Sequence, residues 1–387
     1  MTDWQPKAAR LAADLADTGA ITDEGWRRAF EQTPRHLFVP RFWALDQFNA
    51  PARLVDGADP DQHEEWLTAA YRDQFLATQY TNDEHGRRII TSSASQPSLV
   101  ARMLGLLDIG GGHRVLEIGT GTGYNTALLC HRLGDANVTS MDIDAGLVAE
   151  ATCRLAARGY RPLLVAGDGA AGVAKTAPYD RILSTCASPG VPAPWIEQLG
   201  PGGVIVAPFT FGGALAVVTK TGPDTVSGRF DGEQAWFMPL RPIDAPIPPR
   251  HLVDLPDEPA ADAVHHDSTD VDPAALTDPD FHLWLCLHRP DARLAHTFSD
   301  DGTTHTGVVV YTSAHRATIT FGTAEAPSRI TQDARRLGDA VTAAWHSWQR
   351  NGRPDRSRIG VTAHTSGTQH AWLDTPDGTH QWPVPTP

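Results

Sequence analysis

At 387 residues the chain is long enough for two domains, or for one large domain with an appendage. Hydrophobic residues make up 41% and charged residues 20%, a globular composition that excludes disordered and collagen-like chains. Lys plus Arg is 32 against 46 Asp plus Glu, a formal charge of −14, which argues against a nucleic acid or an anionic membrane as partner because both are met with a basic surface.

The first 80 residues read as helical. Thr22-Asp23-Glu24 opens a helix with Trp26, Ala29 and Phe30 at helical spacing. Pro34 to Pro40 reads as an extended link bracketed by prolines, and an acidic helix is expected over about Asp61 to Tyr71. From Ile89 to Leu240 strands and helices alternate. The strands are Arg114–Ile118, Val138–Asp142, Leu163–Ala166, Arg181–Ser184 and Val204–Ala207; Tyr124–Leu133 and Leu147–Arg158 are helices between them. That alternation predicts a parallel α/β sheet. Leu215–Thr219 and Ala235–Met238 suit an antiparallel hairpin at its edge. Pro242, Pro246, Pro248 and Pro249 then break the pattern, and His251 to Asp280 holds nine acidic residues and no Lys or Arg, the signature of a solvated linker. The last hundred residues read as a separate small α+β unit. Phe281–Leu287, Thr306–Tyr311 and Arg316–Phe321 are its strands, and Asp333–Gln349 is a helix with Leu337, Val341, Ala344 and Trp348 on one face. Arg358–Ala363 and His370–Leu373 are placed as a closing hairpin.

The N-terminal charges have no apolar run behind them, so no signal peptide is expected, and no run approaches the ~18–20 apolar residues of a membrane helix. Four dispersed cysteines without a CxxC imply neither a zinc knuckle nor a disulfide framework, and a reducing cytoplasm is the expected setting. The 17 histidines form no metal-ligand pattern, so no metal is expected.

The strongest motif is Val115-Leu116-Glu117-Ile118-Gly119-Thr120-Gly121-Thr122-Gly123-Tyr124, a buried strand running into a glycine turn that opens a helix. Glycines let the backbone approach a ligand at the carboxyl edge of a parallel sheet. The G-x-G-x-G spacing, with Asn125 where a third fingerprint glycine would stand, departs from the pyrophosphate pattern. Asp142 ends the next strand 23 positions after Gly119, near the ~20-residue offset of a ribose-binding carboxylate. Gly167-Asp168-Gly169 ends the strand after that.

This run, to Pro208, resembles the class I S-adenosylmethionine-dependent methyltransferases. More narrowly it resembles the protein-L-isoaspartate O-methyltransferase family, through Ser93-Ala94-Ser95-Gln96-Pro97, Ala177-Pro178-Tyr179-Asp180-Arg181-Ile182, Pro201-Gly202-Gly203 and Pro34-Arg35 to Val39-Pro40. The resemblance implies that Gly119, Thr120, Gly121 and Gly123 lie under the cofactor and that Glu117 orients its amino end. Asp142 with Ile143 would hold the ribose, and Asp168 with Gly169 would meet the adenine. Ser95, with Ser93, would receive the reactive carboxylate; Ser92 and Gln96 would line the substrate side. The alternative for this serine stretch is structural, with Ser95 or Gln96 capping the next helix and Pro97 in its first turn. Trp195 is a further substrate-binding candidate, against packing beside the sheet. Cys186 follows the fourth strand near the cleft and has no His/Asp series that would make it a nucleophile.

The expected architecture is α/β: a Rossmann-like parallel sheet with an antiparallel edge hairpin. Residues 1–90 would form a helical segment, 91–241 the methyltransferase domain, 242–280 the linker and 281–387 a small domain for peptide recognition. That tail is expected to be foreign to the repair enzyme. Over nearly its whole length the chain resembles the methyltransferases of ATP-grasp (graspetide) peptide maturase systems. Thr91–Ser95, Cys130-His131-Arg132-Leu133-Gly134, Trp372 to Gly378 and His380-Gln381-Trp382-Pro383 carry that likeness. It implies methylation of an Asp side chain in a modified precursor peptide, the ester then closing to an aspartimide. Isoaspartyl repair and a lanthipeptide-pathway homologue are the alternatives, and a scaffold with vestigial cofactor binding is the reading outside enzymes.

Overall fold

A computed structural model describes residues 3–47, 49–83, 85–242, 264–299, 301–322 and 326–387. The chain begins with helices α1 (Gln5–Asp17), α2 (Glu24–Gln32) and the single turn α3 (Arg35–Phe38). Asp23 caps α2 by accepting from the Trp26 N–H at 3.0 Å. Next come β1 (Arg41–Leu45), β2 (Pro51–Asp56), α4 (His63–Ala70), β3 (Leu76–Asn82), β4 (Arg88–Ala94) and α5 (Pro97–Leu106). The expected all-helical start is therefore incomplete. The four strands make an antiparallel sheet ordered β2-β1-β3-β4, and Pro34–Pro40 holds a helical turn instead of an extended link. The strands of this sheet are short and mostly half-buried, so their alternation is too weak to mark them in the sequence.

The central region alternates as expected: β5 (Val115–Ile118), α6 (Tyr124–Leu133), β6 (Val138–Asp142), α7 (Ala145–Ala157), β7 (Leu163–Ala166), β8 (Tyr179–Ser184), α8 (Ala193–Gln198), β9 (Leu199–Pro208), β10 (Leu215–Gly222) and β11 (Thr225–Phe230). The edge hairpin is β10–β11, closed through Gly222 and Thr225. Ala235–Met238 is not its second strand.

After residues 243–263, which lie outside the described residues and hold most of the expected linker, the chain forms β12 (His265–Thr269), α9 (Pro279–His288), β13 (Arg293–Phe298), β14 (His305–Tyr311), β15 (Arg316–Thr320), β16 (Ser328–Gln332), α10 (Leu337–Arg350), β17 (Ile359–His364), β18 (Gln369–Leu373) and β19 (Gln381–Pro383). Phe281–Leu287 is thus helix, not strand. Asp278 caps it through the Asp280 and Phe281 N–H groups, and Pro279 fills its first turn. Burial around nearly the whole helix erases the amphipathic period that would have marked it.

The ten-stranded central sheet runs β19-β18-β17-β11-β10-β9-β8-β5-β6-β7, parallel from β9 to β7 and antiparallel beyond. Strands β17–β19 therefore belong to the methyltransferase sheet, which corrects the expected separate unit over 281–387. The remaining layer is a five-stranded antiparallel sheet, β12-β16-β15-β14-β13. Its helices share one apolar core with the central sheet, in which Leu116, Ile182 and Trp195 belong with Phe281, Trp284, Trp345 and Trp382. The second core lies on the other face, under the N-terminal helices.

Candidate active site

The carboxyl ends of β5, β6 and β8 open into a cavity of about 860 Å³. Its floor is the turn after β5. Gly119, Gly121 and Gly123 adopt positive φ of 99°, 49° and 85°, conformations that favour glycine. A Cβ on Gly119 would stand 2.5 Å from Thr185 Oγ1 and 3.0 Å from Cys186 Sγ, so the turn is clamped from below by the segment leaving β8. Asp142, at the end of β6, accepts from the Gly121 N–H at 2.8 Å and the Asp144 N–H at 3.1 Å; burial pushes its carboxyl up.

Glu117 is fully buried beneath this turn. It accepts from Asn125 Nδ2 at 2.6 Å and Thr126 Oγ1 at 2.5 Å, and desolvation pushes it up to about 7. It does not face the cavity. Asn125 does, and its buried Oδ1 has no hydrogen-bond partner among the described residues. Asn125 is the residue the sequence reading passed over. The available signal was an amide in the first turn of the helix after a glycine loop, within reach of a strand acid.

The wall facing the floor comes from the N-terminal sheet. Ser92 and Ser93 lie in β4 and Ser95 follows it, so most of the serine stretch is strand. Ser92 is buried and accepts from Thr78 Oγ1 at 3.3 Å. Ser93 and Ser95, two residues apart, are both half-buried and line the cavity. Among the described residues neither hydroxyl has a hydrogen-bond partner. The helix cap expected from Ser95 or Gln96 comes instead from outside: Asp73 accepts from the Ser98 N–H at 2.8 Å and from Gln96 Nε2 at 3.0 Å. That commits the Gln96 amide and leaves the Ser95 hydroxyl free to face the cavity. The buried guanidinium of Arg35 donates to the carbonyls of Ala70 (2.9 Å), Gln74 (3.1 Å) and Ser95 (3.1 Å), fixing this wall to the Asp73 loop. Among the described residues no carboxylate pairs with it directly, and desolvation lowers it to about 10.

The third wall is the segment from Glu233 to Arg241, another contribution the sequence did not announce. The Ala187 N–H donates to the Met238 carbonyl at 2.8 Å, and the Leu240 N–H to the Ala187 carbonyl at 2.7 Å. At the rim Arg102 forms a bidentate pair with Asp231, at 2.5 and 2.9 Å.

Of the sequence candidates, the cavity brings together Ser92, Ser93, Ser95, Gln96, Gly119, Thr120, Gly121, Asp142, Ile143 and Gly169. Glu117 and Gly123 support it from beneath. Asp168 caps a short turn by accepting from the Ala170 N–H at 2.9 Å and does not line the cavity. Trp195 is corrected: it is fully buried in the core, and its indole N–H donates to the Gly169 carbonyl at 2.8 Å. A substrate cannot reach it. Cys186 lines the cavity, but burial pushes its thiol up to about 12, which keeps it protonated and un-nucleophilic at neutral pH.

A glycine turn at the carboxyl end of a parallel strand, a strand-end acid and the cavity above them are the site of a class I S-adenosylmethionine-dependent methyltransferase fold. The residues fit that cofactor. Asn125 Oδ1, Asp142 and, beneath them, Glu117 make one end rich in acceptors, suited to an ammonium and ribose hydroxyls. Ile143, Leu147 and Gly169 give the apolar end.

A family profile described as protein-L-isoaspartate(D-aspartate) O-methyltransferase matches residues 7–241, and the chain belongs to that family of carboxyl O-methyltransferases. It is similar to the protein-L-isoaspartate O-methyltransferase of Azorhizobium caulinodans, 48% identical over 54% of this chain and 82% of the relative. It is also similar to protein-L-isoaspartate O-methyltransferase 2 of Archaeoglobus fulgidus, 35% identical over 62% of this chain and 94% of the relative. A solved structure titled protein-L-isoaspartate O-methyltransferase shares the fold, with a TM-score of 0.52 and 21% identity over 95% of this chain and 99% of its own. That span reaches past residue 241, so the expectation that the tail is foreign to such proteins is corrected at the level of fold.

Proposed function

We propose that this chain methylates the free carboxylate of an aspartyl-type residue presented on a peptide, and that Ser95 and Ser93 receive that carboxylate. The observation that carries the reading is the pair of serine hydroxyls opposite the glycine turn that have no partner among the described residues. The cofactor supplies the methyl group on a sulfonium centre. A carboxylate is already ionised near pH 7, so the chain needs no strong base. It must hold the nucleophile in line and shed its water. Neutral hydroxyls suit this task. Negative charge on the carboxylate shrinks as the ester forms, and a cation paired with it would favour the ground state. Arg102 is kept from that role by its bidentate bond to Asp231.

The activity for which these relatives are named favours an isoaspartyl carboxylate. A second acceptor, an Asp side chain in a graspetide-type precursor, is supported by the sequence likeness at Trp372–Gly378 and His380–Pro383. These residues lie beyond the stretch matched by the family profile. The ester would then lose methanol to the following backbone amide and close an aspartimide. A competition assay separates them: an isoaspartyl peptide and a cross-linked Asp-rich precursor share one tube with S-adenosylmethionine, and mass spectrometry follows methyl gain and net loss of water. Methylation of the precursor alone overturns the repair reading; methylation of the isoaspartyl peptide alone overturns the maturation reading. In either case S95A is expected to lower kcat/KM about 10–100-fold, the scale of one lost hydrogen bond that positions a charged group, while leaving S-adenosylhomocysteine affinity unchanged. Full turnover in S95A removes the serine from the site.

A further inference from the structure

The cavity has an aromatic mouth that the chemistry above does not use. Trp236 is 56% exposed and Phe75 41% exposed, and both line the cavity. Large side chains left in water at a cavity mouth mark a place for an apolar partner group. Trp236 is also held rigidly. The Ala235 N–H donates to the Gly213 carbonyl at 2.9 Å, and a Cβ on Gly213 would stand 2.8 Å from the indole ring. One side of the ring stacks on His282, with centroids 5.9 Å apart and planes 26° from parallel.

The supports come from the C-terminal layer. His282 and Leu283 lie on α9, and a Cβ on Gly212 would meet Leu283 at 2.7 Å. Buried Arg356 donates to the Gly212 carbonyl at 3.4 Å and the Gly213 carbonyl at 3.3 Å, and pairs with Asp280 at 2.9 Å in the first turn of α9. One guanidinium thus ties α9 to the turn beneath Trp236. Burial holds His282 down at about 4, so the ring against the indole is a neutral one.

We infer that Trp236 is a plate for the residue flanking the methylated aspartyl, that α9 fixes this plate, and that the enzyme therefore prefers acceptors with a large apolar or aromatic neighbour. The inference rests on the proposed peptide acceptor and assigns the C-terminal layer a part in acceptor choice. Phe75 supplies a second apolar surface at the same mouth. Glu233, on the same rim, disfavours an acidic neighbour.

The test compares acceptor peptides that differ only in the flanking residue, Phe against Gly, and reads the ratio of their kcat/KM values. The wild-type ratio should favour Phe by about tenfold, the scale of one aromatic contact in a pocket. W236A should bring the ratio close to one, W236F should keep most of it, and H282A should fall between. A cofactor-affinity measurement accompanies each variant. A wild-type ratio of one overturns the inference. So does a W236A protein that keeps the ratio and instead binds S-adenosylhomocysteine about tenfold more weakly, since the plate would then serve the cofactor. If neither peptide is methylated, the acceptor reading fails on its own. Calorimetric binding of the same peptides to the S-adenosylhomocysteine complex then decides the plate: a Phe preference lost in W236A supports it, and equal affinities overturn it.

Discussion

The floor and the mouth of the cavity are built in opposite ways. The floor is one continuous run from Val115 to Asn125, completed by Asp142 at the end of the neighbouring strand, and its geometry is set by backbone: three positive-φ glycines and an N–H from Gly121 to Asp142. The mouth collects Phe75, Ser93, Ser95, Arg102 and Trp236 from separate stretches. Three of them are placed by partners distant in sequence: Ser95 by Arg35, Arg102 by Asp231 and Trp236 by α9. A local motif fixes where the shared cofactor lies, because any sequence with that turn presents the same backbone. On the proposed acceptor reading, acceptor choice is left to long-range contacts, which can change without disturbing the turn.

If this contrast holds, the largest effect of a small substitution should come from the floor. Gly119→Ala adds a Cβ 2.5 Å from Thr185 Oγ1 at a φ of 99°. We expect S-adenosylhomocysteine affinity to fall at least about tenfold, measured by calorimetry. Undiminished affinity would mean that the turn is more pliable than its packing implies.

The next test concerns the acid beneath the floor. Glu117 is raised from 4.5 to about 7 by burial. Between those values the folded chain keeps a proton that the unfolded chain has lost, so the stability of the cofactor-free protein should fall as pH rises through this window. The full change is on the order of 3 kcal/mol. Urea unfolding across the window should show the slope in the wild type and a much flatter profile in E117Q.

At the mouth, Arg102→Ala leaves the largely buried Asp231 carboxylate without its bidentate partner. Water around the half-exposed Arg102 moderates the loss to about 1–2 kcal/mol, read as a lower urea midpoint. The double variant R102A/D231A should recover part of it, whereas cofactor affinity should hardly move. The smallest effect is expected at Trp195→Phe. It removes one indole N–H from the Gly169 carbonyl and costs about 1 kcal/mol of stability. A change in peptide KM without that stability loss would return Trp195 to the substrate site.

The sequence was legible where period and local turn chemistry act together. The parallel strands, the glycine turn and Asp142 all lie where alternation and spacing put them, because each depends on residues a few positions away. It misled where burial is complete or pairing is remote. The all-round burial of α9 reads equally well as a strand, and Ala235–Met238, within the third wall, looked like the second arm of a hairpin that β11 in fact supplies.

The Val115–Tyr124 run and the strand end at Asp142 thus determined by themselves the α/β class and the place of an adenosine-bearing ligand, since a glycine turn at a parallel strand end carries its own conformational requirement; the family resemblance named that ligand as S-adenosylmethionine. Only the tertiary structure decided that Asp73 caps α5 in place of Ser95, that Trp195 is core, and that the last three strands complete the catalytic sheet. Those outcomes depend on which distant group satisfies a buried donor, acceptor or apolar face, and the spacing of residues along the chain does not record that choice.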